Sequence, residues 1–130
     1  MDETTYKIVT DYYNEMQRGF RNGKLDFKRM HLSDDIAVIG PNERFEGIET
    51  VSVMLQDQLL PVTERFDFLH QFFDINQACT LLNCVTKTAA GTVQVAEWMI
   101  IRSGKITEIR LFYDTAQWAK VSLPKEEGQG

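Results

Sequence analysis

One change of hydrophobic period, at Pro61, constrains this chain more than any other feature. Ahead of it, apolar residues recur at three- and four-residue steps, the spacing that gives a helix one apolar face. Behind it they recur at every second position, the spacing of a strand with one buried face. The order is helices first and strands afterwards, joined by short turns. That order predicts an α+β domain in which helices pack on one side of an antiparallel sheet.

In the helical part, Tyr6, Val9, Tyr13, Met16 and Phe20 form one stripe between about Thr4 and Arg21, and Asn22-Gly23 supplies a stop. Leu25, Phe27 and Met30 suggest a short second helix that ends before Ser33-Asp34-Asp35. Ile36 to Ile39 reads as a brief strand halted by Gly40-Pro41, and Arg44-Phe45-Glu46 as a short paired strand. Gly47-Ile48-Glu49 opens a third helix with Ile48, Val51, Met54, Leu55 and Leu59 as its apolar face. Beyond Pro61, Thr63 to Asp74 and Gln77 to Thr88 read as long strands, with turns at Asp74-Ile75-Asn76 and Ala90-Gly91.

The last part of the sheet, Thr92 to Asp114, reads as a hairpin around Arg102-Ser103-Gly104-Lys105, where glycine tolerates the positive φ of a tight turn. One residue is out of character there, Glu97. Two registers are open. A two-residue loop at Ser103-Gly104 puts Glu97 opposite Arg110 and Met99 opposite Glu108, a charged outer face. A three-residue loop at Arg102-Ser103-Gly104 puts Glu97 opposite Ile109, among Val95, Met99, Ile101, Leu111 and Tyr113, because a one-residue shift exchanges the faces.

With 130 residues, 43% of them hydrophobic, the chain suffices for one domain with a core and is too short for two. A single domain over residues 1–122 is expected, and the polar run PKEEGQG predicts a flexible tail over 123–130. A formal net charge of −5, without clustered Lys and Arg, argues against a nucleic-acid partner. No run approaches the roughly 20 apolar residues of a membrane span, and the first residues lack the charged and apolar parts of a secretion signal. A cytoplasmic protein with no membrane partner is expected. Cys79 and Cys84 lie five apart on one strand, face opposite sides, and are expected to be reduced core thiols. With only His31 and His70 besides, neither at ligand spacing from a cysteine, no metal and no cofactor are expected.

Five further polar residues call for a reading. Tyr12 and Tyr13 lie near the edge of the first helix's buried face, either as core packing or as hydroxyls in need of a partner. Phe66, Phe68, His70 and Phe72 share one face of an uninterrupted strand. His70 there is a proton relay or ligand contact, or else a satisfied core or interface histidine. Asn83, among Cys79, Leu81 and Val85, either orients a ligand or satisfies backbone at a bulge. His31 reads as a surface or capping residue.

The order of these elements, with Asn22-Gly23-Lys24-Leu25-Asp26, Leu32-Ser33-Asp34-Asp35-Ile36, Phe45-Glu46-Gly47, and Arg102-Ser103-Gly104-Lys105-Ile106 leading to Phe112-Tyr113-Asp114, resembles the nuclear transport factor 2-like (NTF2-like) superfamily. The likeness is to its SnoaL-like and ketosteroid-isomerase-like branch and covers about residues 4 to 119. It implies a cystatin-like, cone-shaped fold: a curved antiparallel sheet wrapped around a long N-terminal helix, with two shorter helices. It also implies a homodimer through the outer sheet face, covering Trp98, Ile100 and Phe112. The cone implies a pocket for a small apolar or carbonyl-bearing molecule. The first helix would line it with Tyr12 and Met16, the first strand with Val38, and the third helix with Met54 and Leu59. The long strands would add Phe68 and Asn83, and the hairpin Met99, Ile109, Leu111 and Tyr113. Related sequences carry a pocket-facing acid at the position of Glu97, which favours the three-residue loop.

Complete catalytic sets do not carry over. The isomerases' tyrosine, general-base aspartate and second acid match Met16, Gly40 and Glu97 here. The cyclases' histidine and aspartate match Ile109 and Leu111, and the epoxide hydrolases' acid also matches Leu111. The resemblance therefore implies cofactor-free acid–base chemistry of isomerase, dehydratase or cyclase type, with Glu97 as proton carrier and Tyr13 and His70 beside it. The alternative is a non-catalytic ligand-binding or dimeric interaction domain.

Overall fold

The structure, a computed structural model, describes residues 3–125. The first helix, α1 (Glu3–Asn22), turns Val9, Tyr12, Tyr13, Met16 and Phe20 into the core. Its outer side carries the ion pair Lys7–Asp11 at 2.7 Å, and the buried Glu15 carboxylate is paired with Arg18 at 2.5 Å and accepts the Asp26 N–H. Where a second helix was expected there is one 3₁₀ turn, Phe27–Arg29, capped by the Asp26 carboxylate, which accepts the Lys28 N–H. The left-handed Gly23 and His31 on either side (φ 81° and 56°) stop any longer helix from forming.

The strands follow: β1 (Leu32–Ile39), β2 (Arg44–Glu46), and, after the helical segment, β3 (Thr63–Phe73), β4 (Gln77–Thr86), β5 (Thr92–Arg102) and β6 (Lys105–Phe112). β1 takes in Ser33-Asp34-Asp35, read from the sequence as lying before the strand. The helical segment starts as α2 (Ile48–Val53), widens into a π-helical stretch, Met54–Leu59, and closes with a 3₁₀ turn, Leu60–Val62. A last helix, α3 (Thr115–Trp118), runs on as a 3₁₀ turn, Ala119–Ser122.

All six strands form one sheet in the order β2-β1-β6-β5-β4-β3, curved around α1. The α+β cone is therefore as expected, with one departure: β1 pairs with β6 in parallel. The helical segment carries the chain from β2 at one edge to β3 at the other. The meander back from there brings β6 alongside β1 in the same direction.

Two irregularities decide which side chains face inward. In β3 the register slips between Phe68, opposite Leu82, and His70, opposite Leu81. Leu82 belongs to the buried face of β4 and Leu81 to the other face, so the extra residue, Leu69, turns His70 and Phe72 outward. The aromatic row read as continuous is broken there.

In the β5–β6 hairpin the turn has two residues, Ser103 and Gly104, both left-handed at φ 51° and 75°. Arg102 pairs with Lys105, and Ile101 with Ile106, yet Ile100 pairs with Glu108 and Glu97 with Leu111. Thr107 is the extra residue of a bulge, its hydroxyl donating to the Ile100 carbonyl at 3.2 Å. Neither uniform register is adopted: the loop is the short one, and the bulge gives Glu97 the inward facing expected of the long one, opposite Leu111 in place of Ile109. Val93, Val95, Glu97, Met99 and Ile101 consequently face the core in unbroken alternation.

Two sequence expectations are corrected at the periphery. Leu123 and Pro124 were placed in a flexible tail, but the Ala89 N–H donates to the Leu123 carbonyl at 2.9 Å and Pro124 pairs with Thr88. The rest of the expected tail, 126–130, lies outside the described residues. Cys84 is a buried core thiol, whereas Cys79 is half-buried on the convex face of the sheet. Among the described residues, no helix is long and apolar enough to cross a membrane.

Candidate active site

The concave face of the sheet, α1 and the widened helix enclose a cavity of about 240 Å³. Its floor is buried: Tyr12 from α1, Val38 from β1, Leu82 and Cys84 from β4, Val95 and Glu97 from β5. Its rim is more open. There Met54, Gln58 and Leu59 reach in from the π-helical stretch, and Tyr113, Trp118 and Val121 from the chain beyond β6. A π-helical turn shifts side chains around the helix axis relative to an α-helix, which suits several side chains of one short segment to a common wall. α3 is fixed in place by the Asp114 carboxylate, which accepts the Ala116 and Gln117 N–H groups. The Gln117 amide then donates to the carbonyls of Ala90 and Thr92 at 3.0 and 2.7 Å. This holds Trp118 against Tyr113, ring centroids 5.7 Å apart.

Glu97 is the one charged group of the floor, 7% exposed, between Thr80 of β4 and Leu111 of β6. Its Oε1 accepts a 2.6 Å hydrogen bond from the Tyr13 hydroxyl. No other hydrogen bond among the described residues engages the carboxyl group, and the residue lines the cavity. Loss of hydration pushes its pKa from 4.5 up to about 7, with the Tyr13 bond pulling the other way. A carboxyl group in this state populates both protonation forms near neutrality.

The tyrosines divide the work. Tyr13 is buried behind Glu97 and does not line the cavity, so it positions the acid. Tyr12 does line it, and the described residues give its hydroxyl no hydrogen-bond partner. Burial, with the nearby Glu97 charge adding to it, holds both phenols well above 10, so both are hydrogen-bond donors at any ordinary pH. Burial likewise pushes the Cys84 thiol up to about 11, making it a neutral part of the wall.

Of the ligand contacts expected from the sequence, Tyr12, Val38, Met54, Leu59, Ile109, Leu111 and Tyr113 line the cavity. Met16 and Met99 do not; both are fully buried in the core behind it. Phe68 packs on Tyr13 at 5.0 Å but is 44% exposed and outside the cavity. His70 and Asn83 are corrected outright. The Leu69 bulge turns His70 to the convex face, against Phe72, and Asn83 sits on that same face between Asp67 and Gln94.

The sequence reading missed Glu43, Phe45, Leu55, Gln58, Phe66 and Val95 among the lining residues, and two further misses follow from one choice of face and one unread element. On β4 the face of Asn83 was taken as the pocket side, whereas Leu82 and Cys84, one position either way, are the ones that line it. The apolar alternation of that strand is equally strong on both faces, so parity alone could not choose. Trp118 and Val121 lie on a helix of one turn followed by a 3₁₀ turn, too short to show a period. Among the described residues no group of three His, Cys, Asp or Glu side chains is arranged to hold a metal ion.

The sequence matches no family model and no curated protein. Solved structures do match. A de novo designed protein with a curved β-sheet aligns at TM-score 0.71 and 23% identity over 94% of each chain. A steroid delta-isomerase from Pseudomonas aeruginosa aligns at 0.73 and 12%, covering 94% of this chain and 88% of that one. An NTF2-like protein of unknown function from Cytophaga hutchinsonii aligns at 0.70 and 14%, covering 88% and 94%. What persists over nearly whole chains at such low identity is the path of the backbone, and by that path this chain has the NTF2-like fold.

Proposed function

We propose that this protein binds a small, mostly apolar organic molecule and performs cofactor-free acid–base chemistry on it, with Glu97 as the proton carrier. One observation carries the reading: a carboxyl group titrating near neutrality on the floor of an otherwise apolar cavity, one oxygen held by Tyr13 and the residue facing the space a ligand would fill. Ionised Glu97 would take a proton from a carbon next to a ligand carbonyl, while the Tyr12 hydroxyl donates to the developing oxyanion. Returning the proton to a different carbon isomerises the ligand; delivering it from Glu97 to a β-hydroxyl, which leaves as water as the carbon–carbon double bond forms, dehydrates it. The fold shared with a steroid delta-isomerase supports the idea that such a cone can host this chemistry, and leaves the substrate to this chain's own walls.

Binding without turnover is favoured by one specific feature, Gly40. A Cβ there would come within 3.2 Å of the Tyr113 hydroxyl, so the isomerases' general-base position is filled by a phenol in place of an acid. The two readings separate in deuterium oxide. Small cyclic ketones incubated with the protein should exchange their α-hydrogens faster than in buffer, and Glu97→Gln should abolish the excess. Binding with exchange at the buffer rate would leave only a carrier.

The proposed setting is the cytoplasm, in keeping with two free cysteines. The proposed partner is a second copy of the chain across the convex face, where Phe72, Trp98 and Phe112 are 56%, 37% and 56% exposed.

A further inference from the structure

The walls of the cavity restrict its ligand further than the chemistry alone requires. Resting on the reading that this cavity is the ligand site, we propose that it selects by size and charge. It takes a compact one-ring molecule carrying a hydroxyl or carbonyl oxygen and no negative charge, and it turns away carboxylates, phosphates and steroid-sized polycycles.

Size comes first. A dry cavity of about 150 Å³ is enough to admit a benzene ring. At about 240 Å³ this one has room for a ring with small substituents, and four fused rings do not fit within it. The walls are also right for a ring, since Phe45 of β2, Phe66 of β3, Trp118 of α3 and Tyr113, just beyond β6, all line it with aromatic side chains.

Charge comes second. Among the residues that line the cavity there are two carboxylates, Glu97 on the floor and Glu43 at the rim, and no lysine, arginine or histidine. Of the cations beside lining residues, Arg44 pairs with Glu46, Arg110 pairs with Glu108 at 3.0 Å and lies over the Trp98 ring, and Lys120 is exposed and does not line the cavity. An entering anion would give up its hydration, meet no counter-charge, and sit between two acids.

The placement of the polar atoms sets the orientation. The floor offers two polar groups, the Glu97 carboxyl and the Tyr12 hydroxyl, in a surround of carbon and sulfur, so the ligand's oxygen goes down. At the rim the Tyr113 hydroxyl, lodged over Gly40, and the Gln58 amide can take a second small polar substituent.

Isothermal titration of the purified chain with three probes tests this: para-cresol, para-hydroxybenzoate, which adds a carboxylate to the same ring and hydroxyl, and the four-ring ketosteroid androstenedione. Para-cresol is expected to bind saturably, para-hydroxybenzoate at least about tenfold more weakly, and the steroid not measurably. Leu82→Trp, which fills the floor, should abolish cresol binding with the circular dichroism spectrum unchanged. Glu43→Gln should narrow the gap between cresol and the carboxylate by about two- to threefold, the size of a screened surface charge. Para-hydroxybenzoate binding as tightly as cresol, tighter binding of the steroid, or no cresol binding would each overturn the inference. Selective cresol binding with no Glu97-dependent exchange would leave this inference standing and remove the proton-carrier reading. Glu97-dependent exchange without selectivity would do the reverse.

Discussion

The Tyr13 hydroxyl donates a 2.6 Å hydrogen bond to Glu97 Oε1, tying α1 to β5 across 84 positions of sequence. The bond favours the ionised carboxylate and so opposes the effect of burial. Tyr13→Phe should therefore raise the Glu97 pKa above its value of about 7. It should also cost about 1–2 kcal/mol of stability, more at pH 8 than at pH 5, because a bond to a charged group is the stronger one. Carbon-13 NMR titration of the Glu97 carboxyl reads the shift directly. An unmoved midpoint would mean that Tyr13 does not hold the acid.

The same carboxyl makes stability depend on pH in a defined direction. Its folded pKa, about 7, lies above the ordinary 4.5, so the unfolded chain ionises first as pH rises. Its contribution is fully present below about pH 4.5, falls as the pH climbs, and is gone above about pH 7. The total is about 3 kcal/mol, from 1.36 kcal/mol per pKa unit. Urea unfolding of wild type and Glu97→Gln between pH 4 and 8 isolates it, since the other titrating groups are common to both. The difference between the two should slope across this window and level off above it. A flat difference would show that Glu97 is already ionised when folded.

The hairpin turn offers a test of the fold that leaves the cavity alone. With φ positive at both Ser103 and Gly104, the turn has the handedness that matches strand twist and favours Asn-Gly. Ser103→Asn should stabilise by about 0.5 kcal/mol, and Gly104→Ala should destabilise by about 1 kcal/mol, since alanine pays for the left-handed conformation. Thermal unfolding of both variants should move in opposite directions, with Glu97 titrating as before.

How far the sequence could be read is visible in this same hairpin. The period change at Pro61, the long first helix and the two strands around Gly104 were legible because each repeats a local rule over many residues. Glu97 was legible as the odd residue of its strand. The Thr107 bulge was not: it leaves the composition of β6 unaltered and arises from how the short turn, the inward alternation of β5 and the parallel pairing with β1 are met together. The Leu69 bulge hid in the same way and misplaced His70, whereas Asn83 was misplaced by the even apolarity of the two faces of β4. Sequence periodicity reports the spacing of a strand; a single inserted residue reverses its facing, and that reversal is fixed only by the strands on either side.

The convex face carries the last expectation. Trp98 is anchored there by its indole N–H, which donates to Gln77 at 2.8 Å, and by the Arg110 guanidinium over its ring at 5.8 Å. Phe112 on β6 and Phe72 on β3 extend the apolar surface to either side. A second copy laid across it would bury all three aromatics twice, once from each subunit. Sedimentation at tens of micromolar (a range set by ordinary dimer affinities, about 8 kcal/mol at 1 μM) should then give a dimer. Changing Trp98 and Phe112 together to Glu should place unpaired carboxylates in the interface and weaken association by about a hundredfold or more. Because the convex face and the cavity lie on opposite sides of the same sheet, the monomer so produced should still bind para-cresol with unchanged affinity. A monomeric wild type would remove the dimer, and a lost ligand affinity in the monomer would show that the two faces are coupled.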